Sequence, residues 1–194
     1  MILEGIITTL SPEGAVNIAP MGPRVDGAMT RFLLRPFATS QTYQNLRVHR
    51  EGVLHVTDDV LFLARAALGP VEPPPLLRAA THVRGYVLAE ACRFYEFRVS
   101  SLDDRGPRVN IEADVVHAGW LRDFFGFNRA KHAVVEAAIL ATRTGFLPLD
   151  EIDAEFRRLA GLIDKTGGDQ EHQAFAVLRA HIDRIQRTRE EACP

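Results

Sequence analysis

The sequence predicts a mainly β protein with α segments: a six-stranded antiparallel barrel over residues 1–120, then a helical subdomain over residues 121–194. Three observations lead there. Through the first part of the chain, short runs rich in Ile, Val, Thr and Phe alternate with Pro, Gly and Asp turn signals. The helical stretches between those runs are small, which suits an antiparallel barrel better than a parallel sheet with crossover helices. In the last third, apolar residues recur at spacings of three and four, the period of a helix with one buried face.

Residues 3–10 are rich in Ile and Thr and end at Ser11-Pro12-Glu13-Gly14, a turn signal. Residues 15–21 return as a second strand, completing a hairpin that Gly22-Pro23 ends. Residues 29–35 form a third strand. A hydroxyl-rich turn and a helix from about Thr42 to His49 follow, then a fourth strand over 52–57. Thr57 or Asp58 can cap a helix running to Leu68, with Gly69 as its stop. Pro70, Pro73, Pro74 and Pro75 force an extended linker. Residues 84–100 and 108–118 read as two long strands joined by D-D-R-G-P-R. Three helices close the chain: Asn128 to Thr144, Leu149 to Lys165 and Asp169 to Arg189.

With 194 residues, 46% hydrophobic and 25% charged, the chain can fill a core. Its net charge of −2 gives no overall basic field, so nucleic acid is not an expected partner. Lys131 and Lys165 are the only lysines, so an anion site here would use arginine. Two cysteines, Cys92 and Cys193, cannot build a disulfide framework; with Cys193 in a frayed tail, a reducing, cytoplasmic setting is expected. The first ten residues lack the basic start and small-residue cleavage site of a signal peptide. No apolar run approaches the roughly 20 residues needed to span a bilayer, so no membrane partner is expected.

Chemistry concentrates between Arg35 and Asp59. Ser40 and Thr42 stand where a helix begins, and the first N–H groups of a helix have no partner inside it. The helix dipole makes that end electropositive, and Arg35 adds a guanidinium, so the segment is a candidate phosphate cradle. Each hydroxyl could instead cap the helix, because a cap oxygen and an anion compete for the same N–H donors; Thr42 is favoured as the ligand. Asn17, Ala19 and Pro20 could let a flat ring approach main chain, or simply end a hairpin; the proline implies an edge or a bulge. Asp58 and Asp59 could accept from a ligand or serve only a helix start. Asn128, Arg129 and Lys131 open another helix and offer a second anion-friendly turn. His132 and Glu136 lie four apart, a spacing that suits a surface ion pair better than a metal, and the other histidines show no metal spacing, so no metal is expected. No nucleophile elbow, Walker loop or dinucleotide fingerprint is present.

The order of motifs resembles the FMN-binding split-barrel superfamily, which includes flavin reductases and pyridoxamine-phosphate oxidases. E-G-I-I-T-T-L at Glu4–Leu10, N-I-A-P-M-G at Asn17–Gly22, L-R-P-F at Leu34–Phe37, S-Q-T-Y-Q-N-L at Ser40–Leu46 and V-T-D-D at Val56–Asp59 look like one branch, the DUF447 family. The segment from Phe127 to Arg143 resembles that family's C-terminal region. The resemblance implies a split β-barrel homodimer with FMN at the subunit interface. It would place the phosphate near Arg35, Ser40 and Thr42, with Asn45 supporting the turn. The ring edge would meet main chain from Asn17 to Met21 and from Val56 through Thr57 to Asp58. Asn128 and Arg129 could reach the partner subunit's cofactor or an anionic substrate. The implied function is a flavin-dependent oxidoreductase of flavin-reductase type acting on an unknown small molecule, in a family associated with tetrahydromethanopterin-dependent C1 metabolism. The alternative is a non-catalytic FMN-binding or scaffold protein.

Overall fold

The computed structural model describes residues 1–106 and 108–191. Pro107 of the expected D-D-R-G-P-R turn and Cys193 of the expected tail lie outside the described residues. In chain order the strands are β1 (Gly5–Leu10), β2 (Val16–Met21), β3 (Arg24–Val25), β4 (Arg31–Leu34), β5 (Glu51–Val56), β6 (Leu77–Ala79), β7 (Tyr86–Leu88), β8 (Arg93–Asp103) and β9 (Asn110–Trp120). The helices are α1 (Gln41–His49), α2 (Val60–Leu68), α3 (Arg129–Ala141), α4 (Leu149–Thr166) and α5 (Asp169–Glu191).

The chain divides into two compact units. The first, Met1–Thr57 with Pro73–Phe124, contains the β structure. Seven strands pair antiparallel in the order β2-β1-β5-β8-β9-β4-β3, a curled half-barrel of the split-barrel type. Every residue of β1 is buried, so this strand is the floor on which β2 and β5 are laid. Inside the curl, Ile7, Leu34, Leu46, Leu54, Phe97 and Ile111 are fully buried. Phe32 meets Tyr95 and Phe97 edge-on at centroid distances of 5.9 and 6.2 Å, the favoured aromatic geometry.

One buried imidazole ties three strands. His55 Nδ1 lies 3.1 Å from the Ile6 carbonyl, and Nε2 accepts the Leu88 N–H at 3.0 Å. Those partners require the neutral tautomer protonated on Nδ1. Burial pushes the imidazole down to about 4 from its ordinary 6.5.

Close backbone approach explains a glycine nearby. A Cβ on Gly5 would stand 2.5 Å from the His55 carbonyl oxygen. Gly5→Ala is expected to lower stability by about 1–3 kcal/mol, since backbone cannot yield as a side chain can. Gly161, inside α4, has nothing within 4 Å of the same position. Gly161→Ala should therefore add roughly 0.5–1 kcal/mol through helix propensity. Urea titrations of both variants check the pair.

The main sheet has seven strands where six were expected, and β6 with β7 forms a separate two-stranded hairpin. These additions are only two or three residues long, too short to show a period of two. The expected strand over 84–100 is interrupted after Leu88, where the Ala91 N–H turns back onto the Leu88 carbonyl. Asp59, not Thr57 or Asp58, caps α2 by accepting the Phe62 N–H at 2.9 Å. Helix α3 stops at Ala141, three residues short of the expected Thr144.

The second unit joins α2, within Asp58–Glu72, to the chain from Phe125 onward. Helix α2 packs against α3 and α5, and α3 against α4. The buried faces follow the expected spacing: Val134, Ala137, Ala138 and Ala141; Ile152, Phe156, Leu159 and Ile163; Leu178 and Ile182. Phe156 and Phe175 meet at a centroid distance of 5.3 Å. No helix among the described residues is long and apolar enough to cross a membrane.

Candidate functional site: the start of the first helix

Helix α1 begins with Ser40 in extended backbone (φ −75°, ψ 144°), the conformation that directs a side chain back onto the first turn. The Ser40 hydroxyl accepts the Tyr43 N–H at 3.2 Å and donates to the Phe37 carbonyl at 2.8 Å. Both capacities of this hydroxyl therefore serve the turn. The N–H groups of Gln41 and Thr42, at the very start of the helix, have no intrahelical acceptor.

A hydrogen-bonded polar network fastens this helix to the edge strand β2. Asn17 Nδ2 donates to Thr42 Oγ1 at 3.1 Å and to Thr9 Oγ1 at 3.3 Å. Asn45 Nδ2 donates to the same Thr9 oxygen at 3.0 Å, and its Oδ1 accepts from Gln41 Nε2 at 2.7 Å. Thr9, Thr42 and Asn45 are each 1–2% exposed. The structure thus brings three sequence-predicted residues together: Asn17, Thr42 and Asn45. Asn17 bonds Thr42 and Thr9, and Asn45 bonds Thr9 and Gln41; Thr9 is a residue the sequence motifs do not mark as a contact. Its signal was the pair Thr8-Thr9 in a strand buried on both faces, where two hydroxyls must find partners. Thr8 finds the Tyr86 carbonyl at 2.6 Å.

Ala19 and Met21 share the face of Asn17 and pack against the barrel core, as does Val56 at the end of β5. Pro20 lies on the edge strand opposite Ile6, in keeping with its missing N–H. Residues 16–21 are all half-buried, leaving part of the β2 main chain open. Arg35 stands apart, exposed just after β4, and has no hydrogen bond or ion pair among the described residues. A second guanidinium, Arg108, lies over the Phe37 ring at 4.2 Å. An open concavity of ≈ 560 Å³ is lined elsewhere, by Arg24, Asp26, Arg31, Phe32, Glu112 and Asp114 among others.

Asp58 and the α3 turn belong to the helical unit. Asp58 is 8% exposed; its carboxylate accepts the Phe125 N–H at 2.6 Å and its carbonyl accepts from Lys131 Nζ at 2.9 Å. Asn128 caps α3 through the Lys131 N–H and donates to the Thr166 carbonyl at 3.0 Å. Lys131 is half-buried and paired with Glu171 at 2.8 Å, so its charge is already engaged within the fold. Arg129 is exposed at the start of the helix.

A crystal structure of an FMN-bound protein from Methanosarcina mazei superposes with a TM-score of 0.82 at 24% identity, covering 93% of this chain and 94% of that one. The styrene monooxygenase flavin reductase of Pseudomonas putida S12 aligns at a TM-score of 0.51 and 13% identity, over 60% of this chain and 77% of the reductase. An FMN-binding protein from Thermus thermophilus gives 0.51 and 15%, over 61% and 70%. At these identities the likeness establishes the fold. A search of curated proteins found no match. Two family models, the N-terminal and C-terminal domains of a protein of unknown function, match residues 3–122 and 128–180. The chain therefore belongs to the DUF447 family.

Proposed function

We propose that the chain is an FMN-binding flavoprotein that works as a homodimer and transfers electrons or hydride to a small-molecule acceptor in the cytoplasm. The observation that carries this reading is the start of α1. Its N–H groups at Gln41 and Thr42, which have no intrahelical acceptor, stand in a turn held by Ser40 and braced by the Asn17–Thr42–Thr9–Asn45 network. These groups suit a terminal phosphate: the main-chain donors and the Arg35 guanidinium would hold the anion, while Ser40, Thr42 and Asn45 keep the donors in place. Thr42 is nearly closed to solvent, so in this proposal its hydroxyl braces more than it binds. The half-buried β2 main chain at Asn17, Ala19, Pro20 and Met21, together with Val56 and Thr57, would flank the ring. Arg129 is retained as a contact for an anionic partner or substrate, with Asn128 capping its helix.

FMN supplies the redox chemistry when bound; the chain supplies anchoring, orientation and exclusion of water. The FMN-bound and flavin-reductase relatives support the same reading. The link to C1 metabolism that the sequence resemblance implies makes a tetrahydromethanopterin derivative one acceptor to try.

A visible absorbance spectrum of freshly purified protein tests cofactor binding. Arg35→Ala is expected to weaken FMN binding by about 1–3 kcal/mol, roughly 5- to 150-fold in Kd. An unchanged Kd would put the phosphate elsewhere. A specific feature favours the rival, a non-catalytic FMN carrier: Asn17, Ser40, Asn45, Asp58 and Asn128 are all committed to contacts within the fold. Steady-state reduction of bound FMN by NADH or NADPH separates the two, since a carrier stays oxidised with both.

A further inference from the structure

We propose that His82, Glu96 and His117 form a binding site for a divalent transition-metal ion of the zinc class. The three side chains come from the loop between β6 and β7, from β8 and from β9, and each offers one ligand atom within 4.8 Å of the other two. Ligand atoms around one tetrahedral zinc stand roughly 3.3 Å apart, as its ~2.0–2.1 Å bonds require. The cluster therefore needs only side-chain adjustment to close on an ion. Spacing along the chain concealed it, because Glu96 and His117 are neighbours through sheet register and His82 arrives on a turn.

The carboxylate is prepared for such a role. Glu96 is fully buried, and it accepts the N–H groups of Thr81 and Val83 at 2.9 and 3.1 Å and that of His82 at 2.6 Å. Oε1 takes one of these bonds and so keeps a lone pair for a cation. The same bonds hold the turn that carries His82. Arg98 Nη2 donates to the His82 carbonyl at 2.6 Å, and Glu51 accepts both the Arg84 N–H and Arg98 Nε. The loop backbone is thus fixed from three sides, as the supporting shell of a metal ligand is.

The imidazoles are open. His82 is exposed and His117 half-buried, and among the described residues neither ring nitrogen has a hydrogen-bond partner. Their rings stack at a centroid distance of 4.4 Å with an interplanar angle of 30°. Imidazole lone pairs lie in the ring plane, so one ring must turn for both to aim at the same ion; the exposed His82 has room to do so. Two imidazoles and a carboxylate suit zinc, iron, nickel or copper better than calcium or magnesium. Three protein ligands leave a fourth position for water.

The test is calorimetric titration of Zn²⁺ into the untagged chain of 194 residues after chelator treatment. One equivalent per chain is expected, with His82→Ala and His117→Ala each weakening binding by at least about tenfold. Far-ultraviolet circular dichroism confirms that both variants remain folded. Arg35→Ala and His132→Ala should leave zinc affinity unchanged, which separates this site from the FMN proposal. The absence of saturable Zn²⁺ binding, or equal affinity in folded His82→Ala and His117→Ala, would overturn it.

Discussion

Stability of the chain is expected to fall as pH drops from about 7 towards 4, with His55 alone accounting for about 3 kcal/mol. The native imidazole titrates at about 4 because burial disfavours its charged form, whereas the ordinary value is 6.5. Between those values the unfolded chain binds a proton that the native chain refuses. The contribution is complete above the unfolded value, is lost as pH falls, and levels off below about 4. Protonation would also strip Nε2 of the lone pair that accepts the Leu88 N–H. Urea unfolding at a series of pH values measures the slope. His55→Phe should be less stable at neutral pH yet show a shallower slope across this window. A variant slope equal to the parent's would assign the dependence to other groups.

Lys131→Ala is expected to cost about 3–5 kcal/mol, because it leaves a buried charge without its partner. The Lys131 and Glu171 side chains are 14% and 8% exposed. Burial alone would raise the Glu171 pKa, yet the net shift is downward, through the Lys131 ammonium and the Gly168 N–H. Lys131 Nζ also donates to the Asp58 carbonyl and to Gln170 at 3.2 Å, so one ammonium ties α3 to α5 and to the residue preceding the α2 cap. Replacing both charges, as in Lys131→Met with Glu171→Leu, should recover much of the loss. Denaturant midpoints of the two single variants and the double variant decide. A Lys131→Ala midpoint matching the parent's would show that the pair is solvated.

Local chemistry explains what could be read in advance. The β1–β2 hairpin, the α1 turn and the faces of the last three helices each depend on residues within one turn or one period, and each was legible. β3, β6 and β7 were not, because strands that short exist by pairing rather than by pattern. The same divide runs through the side chains. The sequence points to Asn17 and Thr42 as ligand contacts and to Asn45 as a support of the turn; in the structure Asn17 bonds Thr42 directly, and Thr9 joins Asn17 to Asn45. Asp58 was read as a ring contact or a helix-start residue; its carboxylate holds the Phe125 main chain, a partner far away in sequence. The His82–Glu96–His117 cluster lay beyond any linear motif, since it exists only once β8 and β9 take their register.

The placement of α2 has a consequence for how the protein is made. This helix emerges soon after β5, but the surfaces of α3 and α5 that cover it are translated last. A nascent chain must carry the apolar side of Leu63 and Ala64 uncovered while β6 to β9 are synthesised. Expression of residues 125–194 by themselves would present the complementary defect, a bundle missing one of its staves.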